Sequence, residues 1–211
     1  MKELNLFFFC SRSNFRAIGF MMKHYGGVAL ESSLPFMHSP RQPRTGTFHR
    51  IYRLTEVSPP ETPNGRWYYT DGDADALNLT VSKAIRLHGV QHFGSESGEY
   101  TVSLEVKDVA NSGFPLVKLT GTYSSKKDET NGYYGFDVMF DHPVCLEQGK
   151  TYEIVSLIKG PSSWRVIKGK NSYEVEGIQF TFRKSASSGN GTDVCRGQFP
   201  SFIFSKKSFN S

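Results

Sequence analysis

Tyr100-Thr101-Val102-Ser103-Leu104-Glu105-Val106 alternates large apolar and polar residues without a break. Successive side chains on a strand point to opposite faces, so this run has one face for a core and one for water. The same two-residue period recurs in three other places. Leu77, Leu79 and Val81 flank Asn78 and Thr80; Tyr134, Phe136, Val138 and Phe140 flank Gly135, Asp137 and Met139; Ile178, Phe180 and Phe182 flank Gln179 and Thr181. Less regular strand candidates occupy residues 48–54, 66–70, 85–90, 116–123, 152–158, 164–167 and 199–204. Turn signals separate them: Asn64-Gly65, Asp71-Gly72, Asn131-Gly132, Gln148-Gly149, Gly160-Pro161 and Asn190-Gly191. About eleven short strands with no crossover helices predict an all-β fold, an antiparallel β-sandwich.

Composition agrees with that reading. The 211 residues include 17 Phe, 10 Tyr and 20 Gly, the flavour of a turn-rich β-domain with a sizeable core. The formal charge of +5 is unevenly placed. Seven of the 25 Lys/Arg and two of the 20 Asp/Glu fall within residues 1–50, leaving 18 of each sign in the rest. The strand-bearing part therefore has no bias toward nucleic acid or membrane. Cys10, Cys145 and Cys195 are scattered and show no paired or metal-ligand spacing, which argues for reduced thiols in a cytoplasmic setting. The apolar start at residues 4–10 is interrupted by Asn5 and lacks a cleavage site, and no run reaches transmembrane length. Residues 1–46 have no sustained period and end in Pro- and Arg-rich sequence. They are expected to be a linker or disordered extension, dispensable for folding.

Four groupings hint at chemistry, and each has a plainer structural account. His88 and His92 stand four apart, but on a strand and its exit this spacing aligns no metal ligands. Asp71, Asp73 and Asp75 surround Gly72, yet the twelfth position of a calcium loop is Ser82, so acids capping a turn are expected. Cys145 near His142 has Pro143 between them and no orienting partner; a buried core thiol is expected. Ser188-Gly189-Asn190-Gly191-Thr192 lacks the lysine and helix of a phosphate loop and reads as a hairpin. No catalytic residues, no metal and no cofactor are predicted. Phe93 and Trp164 sit at loop edges, where aromatic residues serve as interface anchors or as plugs beneath the loops.

An ordered set of segments resembles a known family. Residues 65–77 (GRWYYTDGDADAL) run a Trp/Tyr strand into a turn and an alternating strand. Residues 81–90 (VSKAIRLHGV), Phe93-Gly94 and residues 98–102 (GEYTV) follow. Downstream come residues 159–162 (KGPS), 177–182 (GIQFTF), 188–192 (SGNGT) and 197–204 (GQFPSFIF). In this order they are similar to the PHR domain of the Pam/Highwire/RPM ubiquitin ligases, which also occurs in BTB-domain proteins. The stretch from Leu87 to Gly94 looks closer to the ligase copies. The resemblance covers roughly residues 47–205, with residues 206–211 as a tail, and nothing in the chain resembles a RING or BTB domain. It implies a non-catalytic module that recruits other proteins through loops at one end of the sandwich. The candidate residues are Phe93, Gly94, Ser95, Gly98, Gly160, Trp164, Asn190 and Gly191. It further implies a role in neuronal and synaptic development at a cytoplasmic, axonal or synaptic location, with the isolated domain monomeric. Carbohydrate or small-ligand binding is the rival reading, because many sandwiches do that.

Overall fold

The computed structural model describes residues 47–62, 65–111 and 114–207; the expectations for residues 1–46 lie outside them. Among these described residues there are thirteen strands: β1 (His49–Tyr52), β2 (Leu54–Ser58), β3 (Asp75–Val81), β4 (Ile85–Phe93), β5 (Glu99–Asp108), β6 (Val117–Ser124), β7 (Lys126–Lys127), β8 (Tyr134–Leu146), β9 (Thr151–Lys159), β10 (Arg165–Gly169), β11 (Ser172–Val175), β12 (Ile178–Lys184) and β13 (Ser201–Lys206). They form a five-stranded sheet in the order β1-β13-β4-β8-β7 and a six-stranded sheet in the order β11-β12-β3-β9-β5-β6. A third, two-stranded ribbon pairs β10 with β2. All pairings are antiparallel.

The core is the sum of the alternating faces. Leu77, Leu79, Val102, Leu104, Val106 and Ile154 come from one sheet; Leu87, Val90, Val138 and Phe202 come from the other. Aromatic rings bridge the layers: Phe180 lies 4.9 Å from Phe204, Phe182 stacks 5.2 Å from Phe202, and Tyr100 stacks 5.0 Å from Phe136. Each fully buried large side chain contributes about 1.5–3 kcal/mol, so this ladder dominates the fold energy.

Four departures from the sequence expectations have clear causes. β4 is buried along nearly its whole length, because the β2–β10 ribbon covers the outward side of its upper half. Residues 66–70 form no strand; one backbone bridge, Trp67 with Ser163, replaces it. The loop after Phe93 and the loop at residues 188–192 do not join paired strands. β4 and β5 belong to different sheets, as do β12 and β13, so both loops cross between layers and neither is a hairpin. Cys145 is exposed rather than buried, because Val144 and Leu146 take the inward positions of β8 around it. Among the described residues no helix is long and apolar enough to cross a membrane.

Candidate functional site

Because β4, β9 and β12 all finish at one end of the sandwich, the connections that leave them meet there. Residues 94–98 close the step from β4 to β5. The Gly94 N–H donates to the Tyr134 carbonyl at 2.9 Å, and its own carbonyl accepts from the Trp164 N–H at 3.0 Å. The Ser125 N–H donates to the Gly98 carbonyl at 2.8 Å, and Ser95 Oγ meets the Tyr100 hydroxyl at 2.9 Å. Positive φ falls on Ser97 (54°), and neither Gly94 nor Gly98 has it. Close approach explains the glycines: a Cβ on Gly98 would come within 2.7 Å of the Tyr100 ring, and one on Gly94 within 2.1 Å of Ser125 Oγ.

The neighbouring connection, residues 160–164, is locked by reciprocal backbone bonds between Trp67 and Ser163, at 3.1 and 3.0 Å. Gly160 also sits where a side chain cannot, 2.4 Å from Tyr100 Cδ1 for an added Cβ. Gln198, fully buried, ties the two loops together. Its Oε1 accepts from the Phe93 N–H at 2.9 Å, while Nε2 donates to Ser163 Oγ at 2.9 Å and to the Tyr69 hydroxyl at 3.0 Å. A buried amide so completely paired fixes backbone positions that sequence separation leaves undefined.

Asp75 does the same for the third loop. Its carboxylate accepts from Trp67 Nε1 at 3.2 Å, Asn190 Nδ2 at 3.0 Å and Thr192 Oγ1 at 2.5 Å. These donors are side chains, whereas the turn reading of residues 71–75 expected capped backbone groups. Asp71 stays outside and pairs with Lys159 at 3.0 Å. Burial pushes the Asp75 carboxyl up to about 6; the Thr192, Asn190 and Trp67 bonds and the Arg53 charge oppose that rise. Gly191 follows with φ of 94°, the left-handed turn that an Asn-Gly pair serves. Beneath this loop, Arg53 is fully buried and donates to the carbonyls of Phe199 (2.9 Å), Val194 (2.8 Å) and Gln198 (2.5 Å). Burial brings its guanidinium down to about 10, so it remains charged at neutral pH.

All eight sequence-predicted residues thus lie at this end, but they differ in what they can present. Phe93 is completely buried against Tyr133 and Val166, so its ring is a plug under the ribbon. Gly94 and Gly98 are buried, and Trp164 is half-buried against the same small cluster. Ser95, Asn190 and Gly191 are partly open, Gly160 is exposed, and Glu96 and Ser97 form the tip between the two buried glycines. Tyr68, 61% exposed, adds an aromatic surface that the sequence reading did not select. Gln198, Asp75 and Arg53 were not selected as site residues either. The clustered acids at 71–75 and the Gly197-Gln198-Phe199 motif were the available signals.

The histidines are structural. His88 Nε2 lies 2.8 Å from Ser205 Oγ, opposite a bulge of β8 where the pairing with β4 jumps from Leu87–Val144 to Gly89–Met139. His92 is fully buried, stacked on Phe136 and 2.8 Å from Ser156 Oγ. Burial drives its imidazole down to about 3, so it stays neutral. Among the described residues no group of three His, Cys, Asp or Glu side chains is placed to hold a metal ion.

Two packed antiparallel sheets, crowned at one end by sheet-crossing loops, define a scaffold-and-loop β-sandwich. The chain belongs to the PHR domain family, whose profile matches residues 61–205. Its relatives include BTB/POZ domain-containing protein 6-B of Danio rerio, 31% identical over 175 residues, which cover 81% of this chain and 34% of the relative. The human BTB/POZ domain-containing protein 6 is 32% identical over 145 residues, 67% of this chain and 25% of the relative. The E3 ubiquitin-protein ligase MYCBP2 of Danio rerio is 29% identical over 149 residues, 68% of this chain and 3% of the ligase. These identities do not favour the ligase copies, as the stretch from Leu87 to Gly94 had led us to expect. The chain spans about a third of the first relative, a quarter of the second and a small fraction of the ligase.

Proposed function

We propose that this domain is a non-catalytic recruiting module that grips another protein through residues 94–98, 160–164 and 188–192. The observation that carries the reading is the polar net beneath those loops. Gln198, Asp75 and Arg53 hold three sequence-distant connections in one arrangement, so that binding need not order them first. Rigid strands with fixed loops suit selective recognition, and half-exposed Trp164 and exposed Tyr68 supply the aromatic area that interface anchors use. In a ligase parent the captured protein would be a ubiquitination target or a cofactor of the ligase. The cytoplasmic, neuronal, axonal and synaptic setting and the monomeric state belong to the same proposal and rest on the resemblance to the Pam/Highwire/RPM proteins.

The rival reading, a carbohydrate or small-ligand site, needs aromatic rings on a concave sheet face. Among the described residues the one large hydrophobic side chain exposed on the outer face of the six-stranded sheet is Leu157, which pairs with Ser103. The test of the recruiting role is Gly98→Glu. Its side chain collides with Tyr100 and adds a charge to a buried position, costing about 1–3 kcal/mol of stability. We expect the folded variant to lose a partner that the unaltered domain pulls down. Normal folding with normal binding would move recognition away from residues 94–98.

A further inference from the structure

The two sheets have four outer edges among the described residues, and three are guarded. β1 and β11 have four residues each. β8 has a bulge opposite His88, carries Pro143, and is capped by β7 at Tyr134 and Gly135. Short strands, bulges and proline are the devices that stop an edge from pairing with foreign backbone. The fourth edge, β6, has none of them. It is eight residues long, contains no proline, and keeps unbroken register on β5 from Val117–Val106 to Ser124–Glu99.

The phase of the ladder shows which backbone groups β6 leaves open. The Ser125 N–H bonds the Gly98 carbonyl directly opposite, at 2.8 Å. Hydrogen-bonded pairs recur every second residue along an antiparallel ladder. Val117, Leu119, Gly121 and Tyr123 therefore turn their N–H and C=O toward β5. Lys118, Thr120, Thr122 and Ser124 turn theirs outward, in a row. The Oγ1–Oγ1 approach of Thr101 and Thr122, 3.5 Å, fits the closer spacing of a pair that shares no ladder bonds. Beside this edge, β6 and β8 leave a groove of about 460 Å³ lined by apolar residues such as Val117, Leu119 and Val144 and by the polar Lys118, Asp141 and His142. Phe114 and Leu116, 86% and 49% exposed, continue the apolar surface past the start of β6.

We infer that β6 is an acceptor for an extended peptide strand from a partner protein, bound antiparallel or parallel along its free edge. Alternate apolar side chains of that strand would drop into the groove. Its end beside Ser124 would be acidic, since exposed Lys126 and Lys127 flank that end, whereas Lys118 at the other is already paired with Glu105 at 2.7 Å. A second copy of this chain fits less well. Its own β6 commits Val117, Leu119 and Tyr123 to its own core and has no side chain left to enter the groove. This surface meets the loop end only where Ser125 bonds Gly98 and runs away from it along β6, so Lys118, Thr120 and Thr122 test it independently of the recruiting role proposed above.

The test uses the full chain, labelled for NMR, and a blocked synthetic peptide of alternating valine and threonine with glutamate at each end. Saturable slowing of amide exchange at Lys118, Thr120, Thr122 and Ser124 is expected, with no change at residues 94–98. Thr120→Pro removes an outward N–H without touching the β5 ladder; it should abolish the slowing while leaving the melting temperature nearly unchanged. If that variant does not fold, the same peptide N-methylated on alternate amides serves instead and should fail to bind. Unchanged exchange on β6, or shifts confined to residues 94–98, would overturn the inference. Slow exchange of those four amides without peptide would overturn it too, assigning the edge to a second copy if it depends on protein concentration and to the chain's own residues if it does not.

Discussion

Between the sheets, Phe180, Phe182, Phe202 and Phe204 meet ring against ring, and hardly a polar atom intervenes. At the loop end, besides backbone bonds between the loops, the same chain is tied by Gln198, Asp75 and Arg53, each buried and each bonded to groups far away in sequence. The first region draws its stability from area removed from water, which is additive and forgiving of exact geometry. The second draws it from satisfied polar groups, which contribute little when paired and cost much when one partner is lost. Burial can therefore keep the domain folded while a single lost hydrogen bond disorganises the loops.

That contrast can be broken from either side. The largest effect is expected for Phe204→Ala, which opens a cavity between the sheets and costs about 3–5 kcal/mol in denaturant unfolding. Amide protection should fall throughout both sheets. Asp75→Ala should cost less, about 1–3 kcal/mol, because relief of a buried charge offsets part of the loss from three stranded donors. Its signature is local: amides of residues 67–70 and 188–192 exchange faster while those of β5 and β9 do not. Equal loss of protection everywhere would show that the two regions are one cooperative unit.

Acid separates the regions by sign. His92, in the core, has a folded-state value of about 3, below the ordinary 6.5, so the unfolded chain binds its proton first. Its contribution to stability is complete above about pH 6.5 and is lost as pH falls toward 3, by about 2 kcal/mol at pH 5. Asp75, at the loop end, moves from an ordinary 3.8 to about 6, so the folded state binds its proton first and stability rises as pH falls through that window. The two oppose one another, leaving a shallow net loss of about 1 kcal/mol at pH 5. Asp75→Asn removes the opposing contribution, and unfolding measured from pH 7 to 4 should then show a steeper acid loss. An unaltered slope would mean that Asp75 carries no shifted proton. The smallest effect is expected for Glu96→Ala at the loop tip, within about 0.5 kcal/mol by melting temperature.

How much of this was legible follows from the same contrast. Alternation located β3, β5, β8 and β12, because a period of two survives in sequence wherever one face is buried. β11 (Ser172-Tyr173-Glu174-Val175) and β7 (Lys126-Lys127) were invisible, being too short to show any period. β2 (Leu54–Ser58) was missed, since the candidate at residues 48–54 ends where the chain changes partner from β13 to β10. Phe93 stayed open between anchor and plug because the cover that makes it a plug comes from Leu54, Val57 and Val166, remote in sequence. The candidate loops were found through family resemblance. Their supports were not, for the side-chain partners of Gln198 lie 34 to 129 residues away and no local pattern encodes them.

Recognition at the loop end is tested most directly by a photo-crosslinking amino acid placed at exposed Glu96, and in a second sample at exposed Gln179 on the outer face of the six-stranded sheet. Neither change disturbs the core, and no partner need be known beforehand. Illumination with neuronal lysate, followed by mass spectrometry, should give a dominant adduct from the Glu96 sample and none from the Gln179 sample. The same adduct from Gln179, with Glu96 silent, would contradict the account.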